Sequence, residues 1–289
     1  MGANYYKITS PQNEKFKSWK SLSSSSGIKQ HNQFFLMGEK LVREFLSDPA
    51  SMQMKGLTLI AQIVSDHSLM SVPEAVPTYE LPTALFKELD TLGTRFNLLL
   101  IEFETISLWN DHLDEKKILL PLASKSPDRR TVSPKIDLRH SLKNLDVICP
   151  LGDPQNLGAL VRSAVAFNAR CILLLPQACH PYHPKSIKAS AGAVLAATFY
   201  KISIEDLFKI NSLGVRILAL DMNEQNIDDL QKPLDSSAGL ALLVGEEGPG
   251  LDFLPADLPV QKIRIPIQNT ESLNAVVAAS IALFQLQKS

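Results

Sequence analysis

The chain has 289 residues, of which 45% are apolar and 20% charged, with a formal net charge of −1; this is an ordinary globular composition, long enough for two cores. No apolar run approaches the roughly 18 residues of a membrane helix, the N-terminus reads as lacking a hydrophobic leader, and Tyr6 stands where a myristoylation signal needs Ser or Thr. Three scattered cysteines, Cys149, Cys171 and Cys179, make no disulfide framework, so a reducing cytoplasm is the expected setting and no membrane partner is expected.

Residues 7–13 read as a lead-in with a Ser-Pro turn, followed by a helix over about 13–22. Ser23–Gly27 reads as a flexible Ser-rich loop. Phe34–Met37 is an expected buried strand, and Glu39–Leu46 an expected helix, with Leu41, Val42 and Phe45 at helical spacing. Gly56–Val64 and Asn97–Phe103 are further apolar strands on either side of a helical Pro82–Leu92. This alternation describes a small α/β domain over residues 1–105. Its first 43 residues carry a net charge of +5, which suits phosphate neutralisation, although a solvated lysine face has the same pattern.

Residues 106–141 are polar and proline-interrupted, and read as a linker with one short ordered piece at most. A second domain is expected over 142–289. Strands are expected at Asp146–Pro150, Cys171–Leu175, Thr198–Ile202, Val215–Leu220, Leu240–Gly245 and Lys262–Ile267. Helices are expected at Asn156–Phe167, Pro184–Ala191, Ile204–Leu213 and Ser272–Gln287. Runs such as Ile172–Leu175 are apolar on both faces, as in a parallel sheet covered on both sides.

Three segments of this domain follow strands, where open α/β sheets place ligands. The first, Asp153–Ala164, carries Asn156 and, six residues on, Arg162; a helix cap and a surface arginine are the bland alternatives. The second, Leu242–Leu251, has three glycines in six residues, which lets the backbone approach a ligand. It has no Gly-Lys-Ser/Thr ending, and Glu246 and Glu247 repel phosphate, so it is not a phosphate loop. The third, Ile265–Asn274, runs from a strand into a helix of small residues; Ser272 and Asn274 also suit simple caps. Cys179, His180 and His183 look like metal ligands, but a tetrahedral site needs a fourth partner, and no metal is expected.

In order and spacing the three segments resemble the motifs of the SpoU (TrmH-type) methyltransferases of the SPOUT superfamily. Asn156, Gly158, Arg162 and Ala164 carry the first motif, and Gly245, Glu247, Gly248, Gly250 and Leu251 the second. Ile265, Pro266, Ser272, Leu273 and Asn274 carry the third. Tyr182–Gly192 is also similar, and residues 7–103 resemble more weakly the family's ribosomal-protein-like RNA-binding module. Asn168 stands where Gly is common, and Asn tolerates the left-handed conformation that such a turn needs. Glu246, Pro249 and Gln30-His31 also depart from the family pattern.

The resemblance implies a parallel sheet with a deep trefoil knot, a rare exception to unknotted topology, and a homodimer formed through the knotted region. It implies S-adenosylmethionine as cofactor, held by Leu243, Val244, Gly245, Gly250, Ile265, Ile267, Ser272 and Leu273. It implies methyl transfer to an RNA ribose 2′-hydroxyl, with Arg162, Asn156, Glu247, Ser272 and Asn274 as the catalytic set. Lys15, Lys17, Lys20, Lys29 and Lys185 are the expected RNA contacts. Ribosomal RNA is favoured over transfer RNA because of the extra N-terminal module. A catalytically inactive RNA-binding assembly factor is the rival from another class.

Overall fold

The computed structural model describes residues 4–65, 72–112, 145–230, 239–246, 248–270 and 272–287. The chain divides into two compact units: residues 1–105 with 154–159 and 179–196, and residues 106–153 with 160–178 and 197–289.

The first unit holds a five-stranded sheet of β1 (Tyr5–Lys7), β2 (Gln33–Leu36), β3 (Leu57–Val64), β4 (Thr78–Glu80) and β5 (Leu98–Phe103). Their order is β1-β4-β3-β5-β2, parallel on the β1-β4-β3 side and antiparallel on the β3-β5-β2 side. The helix Glu14–Ser21 starts where the Asn13 side chain accepts the N–H groups of Lys15 and Phe16 at 3.0 and 3.4 Å, capping two otherwise unpaired donors. It buries Phe16 and Trp19 against Phe35, Ala61, Ile63 and Leu100.

The Ser23–Gly27 stretch is not a flexible loop. Ser24 accepts the Gly27 N–H at 3.2 Å and caps a helix over Ser25–His31, anchored by the fully buried Ile28. Serines disfavour helix interiors but suit the cap and first turn, so composition pointed the wrong way. The short β1 and β4 and the helix Pro49–Met54 were not anticipated; three-residue strands show no measurable period.

The second unit is built on β6 (Leu145–Cys149), β7 (Ile172–Leu174), β8 (Phe199–Lys201), β9 (Arg216–Asn226), β10 (Leu240–Leu243) and β11 (Gln261–Arg264). The order is β11-β9-β10-β6-β7-β8, and every pairing is parallel, as the doubly apolar strands predict. Asp146 is the polar exception in β6. It is 4% exposed and is held by the Arg170 guanidinium and by the Cys171 thiol, which donates at 3.2 Å. Burial pushes the Cys171 thiol up, away from its reactive thiolate form. At the start of the segment read as a linker, Leu108 pairs with Lys201, and Trp109 enters this core. Residues 113–141 of that segment lie outside the described residues.

The helix after β6 spans Pro154–Ala166. It ends as Asn168 predicts, with Asn168 at φ +55° and the Ala169 N–H donating to the Ala164 carbonyl at 2.8 Å. Gly158, in its middle, lets it meet the helix Pro184–Ala189: a Cβ there would lie 2.4 Å from the Ser186 carbonyl oxygen. Helix propensity alone favours Ala over Gly by about 1 kcal/mol. The Gly158→Ala variant is nevertheless expected to lose about 1–3 kcal/mol to overpacking. That loss would be read as a fall of roughly 5 °C in melting temperature by calorimetry; an unchanged or raised value would remove the packing role.

Candidate active site

The loops that carry the three motifs leave the sheet at the C-terminal ends of β6, β10 and β11, the edge where open α/β sheets bind ligands. β10 lies beside β6, with Leu243 opposite Ile148, and the Val244 N–H continues the ladder to the Ile148 carbonyl at 3.1 Å.

The loop after β10 closes on itself. The Glu246 N–H donates to the Gly250 carbonyl at 2.7 Å, and the Gly250 N–H returns to Glu246 at 3.1 Å. Gly248 and Gly250 adopt φ of +88° and +64°, which glycine reaches at little cost. A Cβ on Gly245 would sit 3.3 Å from the Gly250 backbone. Glu246, a departure from the family pattern, accepts a hydrogen bond from the Gln177 side chain at 2.6 Å, which ties this loop to the one after β7.

The third loop ends at Asn274, whose side chain accepts the N–H groups of Val276 and Val277 at 2.9 and 3.3 Å. The closing helix therefore spans Ala275–Gln287, starting three residues later than expected. Ser272 and Leu273 stay in the loop, free of the helical pattern.

The second and third loops surround a cavity of about 720 Å³, within the range of small-molecule sites. Val244, Gly245 and Gly250 line it from one loop, and Ile265, Ile267, Ser272 and Leu273 from the other. Asn274 lines it as well. Leu243 does not; it is fully buried in β10, which carries the loop. Glu247 lies outside the described residues. Arg162 is exposed on the helix Pro154–Ala166. Asn156 lies in that helix's first turn, two residues past its start at Pro154, so it is not the cap.

Leu220, Asp221, Lys262 and Arg264 also line the cavity and were missed. β11 pairs with Ala219 and then jumps to Gln225 of β9, and this irregularity releases Leu220 and Asp221 from the ladder. Lys262 and Asp221 form an ion pair at 3.0 Å, and the hydrogen bond to Asp221 holds the Lys262 pKa above its usual value. A register jump leaves no periodic trace in the sequence; only the alternation of Lys262 and Arg264 with Ile263 and Ile265 marked a polar face there.

Among the lysines, Lys17 and Lys20 pair with Glu14 and Glu88 at 3.0 and 2.6 Å, which offsets part of the N-terminal positive charge. Lys15 donates to the Tyr79 hydroxyl and lies over its ring. Lys29 and Lys185 are exposed. The histidines near Cys179 have local jobs. His180 Nδ1 accepts the Tyr182 N–H at 3.2 Å, and His183 caps the helix Pro184–Ala189 through Lys185 N–H.

A profile of the SpoU rRNA methylase family matches residues 147–284. Ribosomal RNA small subunit methyltransferase G 2 of Syntrophobacter fumaroxidans is 30% identical over 290 residues, which cover 99% of this chain and 50% of that protein. The chain thus spans about half the length of the first curated relatives it matches. The 23S rRNA (guanosine(2553)-2′-O)-methyltransferase RlmP of Bacillus subtilis is 22% identical, with 97% of this chain and 98% of that one covered. The crystal structure of an AdoMet-bound rRNA methyltransferase from Sinorhizobium meliloti superposes with a TM-score of 0.72 at 19% identity, covering 99% of this chain and 98% of that one. Residues 147–284 thus carry the sequence pattern of the SpoU rRNA methylase family, and the chain shares the fold of the Sinorhizobium meliloti structure.

Proposed function

We propose that the protein transfers a methyl group from S-adenosylmethionine to a ribose 2′-hydroxyl of RNA, with ribosomal RNA as the favoured substrate. The observation that carries this reading is the cavity, formed by two of the three motif loops at the C-terminal edge of a parallel sheet. Its size and its apolar walls, from Val244, Ile265, Ile267 and Leu273, suit an adenosyl group, and the backbone of Gly245 and Gly250 suits its polar edges. The bound cofactor supplies a methyl group already activated on sulfur, so the residues here need only align the ribose and help its proton leave.

Arg162 is the residue to which we assign the catalytic role. A guanidinium has no lone pair free to take a proton and is a poor base; it acts instead by holding the flanking phosphate and stabilising the developing alkoxide. Asn274 fixes the end of the third loop by capping the closing helix, and Ser272 lines the cavity next to it. The 23S rRNA and 2′-O in the name of the Bacillus subtilis relative support the ribosomal substrate. We further propose a knotted C-terminal segment, a homodimer and a cytoplasmic setting. The exposed Val277 and Phe284 of the closing helix, at 48% and 44% exposure, support the dimer, and three buried cysteines, none in a disulfide, support the setting.

The test is to incubate the protein and methyl-labelled cofactor with total RNA from a strain lacking the gene. Label is expected in ribosomal RNA at one nucleotide resistant to alkaline cleavage on its 3′ side. Label in transfer RNA would move the substrate, label on a base would overturn the ribose assignment, and absence of cofactor binding would favour an inactive assembly factor.

A further inference from the structure

We propose that a cleft in the first unit receives an unpaired nucleobase of the RNA substrate, a reading that rests on the RNA-directed activity proposed above. The cleft, of about 400 Å³, lies where the helix Glu14–Ser21 meets β3 and β4. β3 shifts register against β5 between Leu59 and Ala61, and both Ile60 and Ala61 line the cleft. Trp19 and Tyr79 lie beneath it, 5% and 7% exposed with their rings crossed at 72°, and Lys15 and Gln33 stand on its rim.

The aromatic surface continues outward. Tyr6 stacks on Tyr79 with ring centroids 5.2 Å apart and planes 23° apart, and Tyr6 is 47% exposed. The Lys15 ammonium lies 4.6 Å from the centroid of the Tyr79 ring and donates to its hydroxyl. Among the described residues Lys15 forms no ion pair, whereas Lys7, Lys17 and Lys20 each face a glutamate. The remaining rim carboxylate, Glu14, is the one neutralised by Lys17.

Beside the cleft the half-exposed Tyr6 ring takes the face of a base, the Lys15 ammonium takes the adjoining phosphate, and the Gln33 amide reads the edge. A base stacked inside a duplex cannot present its face, so the cleft selects unpaired positions. Sequence preference is weak in such sites because every base has a π-face. The surface thus contributes choice of RNA shape away from the reacting ribose.

The experiment uses the full chain without cofactor, so its outcome is separate from that of methyl transfer. Binding is measured by anisotropy for a labelled single-stranded oligoribonucleotide, for its duplex, and by competition with nucleoside monophosphates. Trp19 is one of only two tryptophans, and its emission reports occupancy of the cleft. Tyr6→Ala and Lys15→Gln are expected to weaken the single strand at least about fivefold each, to suppress the emission change, and to leave the melting temperature unaltered. Tyr6→Ala should not alter duplex binding. Equal losses on single strand and duplex, no loss at all, or free monophosphate bound as tightly as the oligonucleotide would each overturn the assignment.

Discussion

Arg162→Ala is expected to lower kcat/KM by about 10²–10³-fold, the cost of removing one donor to a developing oxyanion, with S-adenosylmethionine affinity unchanged. The expectation rests on position. Arg162 lies exposed on the helix Pro154–Ala166, whereas the residues around the cavity come from β9, β11, the two loops after β10 and β11, and the start of the closing helix. A residue outside the cofactor wall can be removed without disturbing that wall. The Lys variant separates charge from geometry: it keeps the positive charge but loses the fork that binds two oxygens, so it should recover only part of the rate. The pH profile separates a clamp from a base. A clamp that never deprotonates adds no ionisation to kcat/KM near neutrality, whereas a base would place one there. Single-turnover rates and calorimetric titration of the cofactor check the two halves. Loss of cofactor binding, or a rate close to that of the parent, would remove Arg162 from the role given to it.

The sequence was most legible where period and punctuation agreed. The six strands of the second sheet were placed because Val147-Ile148 and Leu242-Leu243 are apolar on both faces, and all four residues are fully buried. Asn168 was readable as a left-handed helix end because few residues other than Gly and Asn take that conformation. The glycines of the second loop were readable for the same reason, and seven of the eight residues expected around the cofactor do meet at the cavity. Leu243 does not line the cavity, since its place in the motif says nothing about which way a strand residue faces. Other features were set by tertiary partners that no local window contains. Asp221 reaches the cavity only because β9 slips against β11, and the serines near Ser24 became a helix only because Ile28 is pulled into a core.

Gly245→Val should give the opposite signature to Arg162→Ala, namely cofactor binding weakened more than tenfold in a protein that still folds and still binds RNA. The first atom of any side chain at Gly245 would stand 3.3 Å from the Gly250 backbone, and valine adds two more methyls beyond it. The loop must then open, which breaks the paired hydrogen bonds between Glu246 and Gly250 and moves two of the walls of the cavity. Two net backbone hydrogen bonds at about 1 kcal/mol each already account for roughly a 30-fold effect. Gly250→Ala tests the same loop through strain instead of bulk. At φ +64° an L-residue costs about 1–2 kcal/mol, so the loss should be smaller, on the order of 5–30-fold. Thermal shift reads both variants without RNA. Cofactor at 100 times its dissociation constant stabilises the parent by about 2.7 kcal/mol, and that gain should shrink in Gly250→Ala and largely vanish in Gly245→Val. The two glycines sit at the ends of one closed turn, so their double variant should cost little more than Gly245→Val alone, because a loop already opened has no further closure to lose. Additive losses would mean that the glycines contact the cofactor independently and that the closed turn is not the binding element.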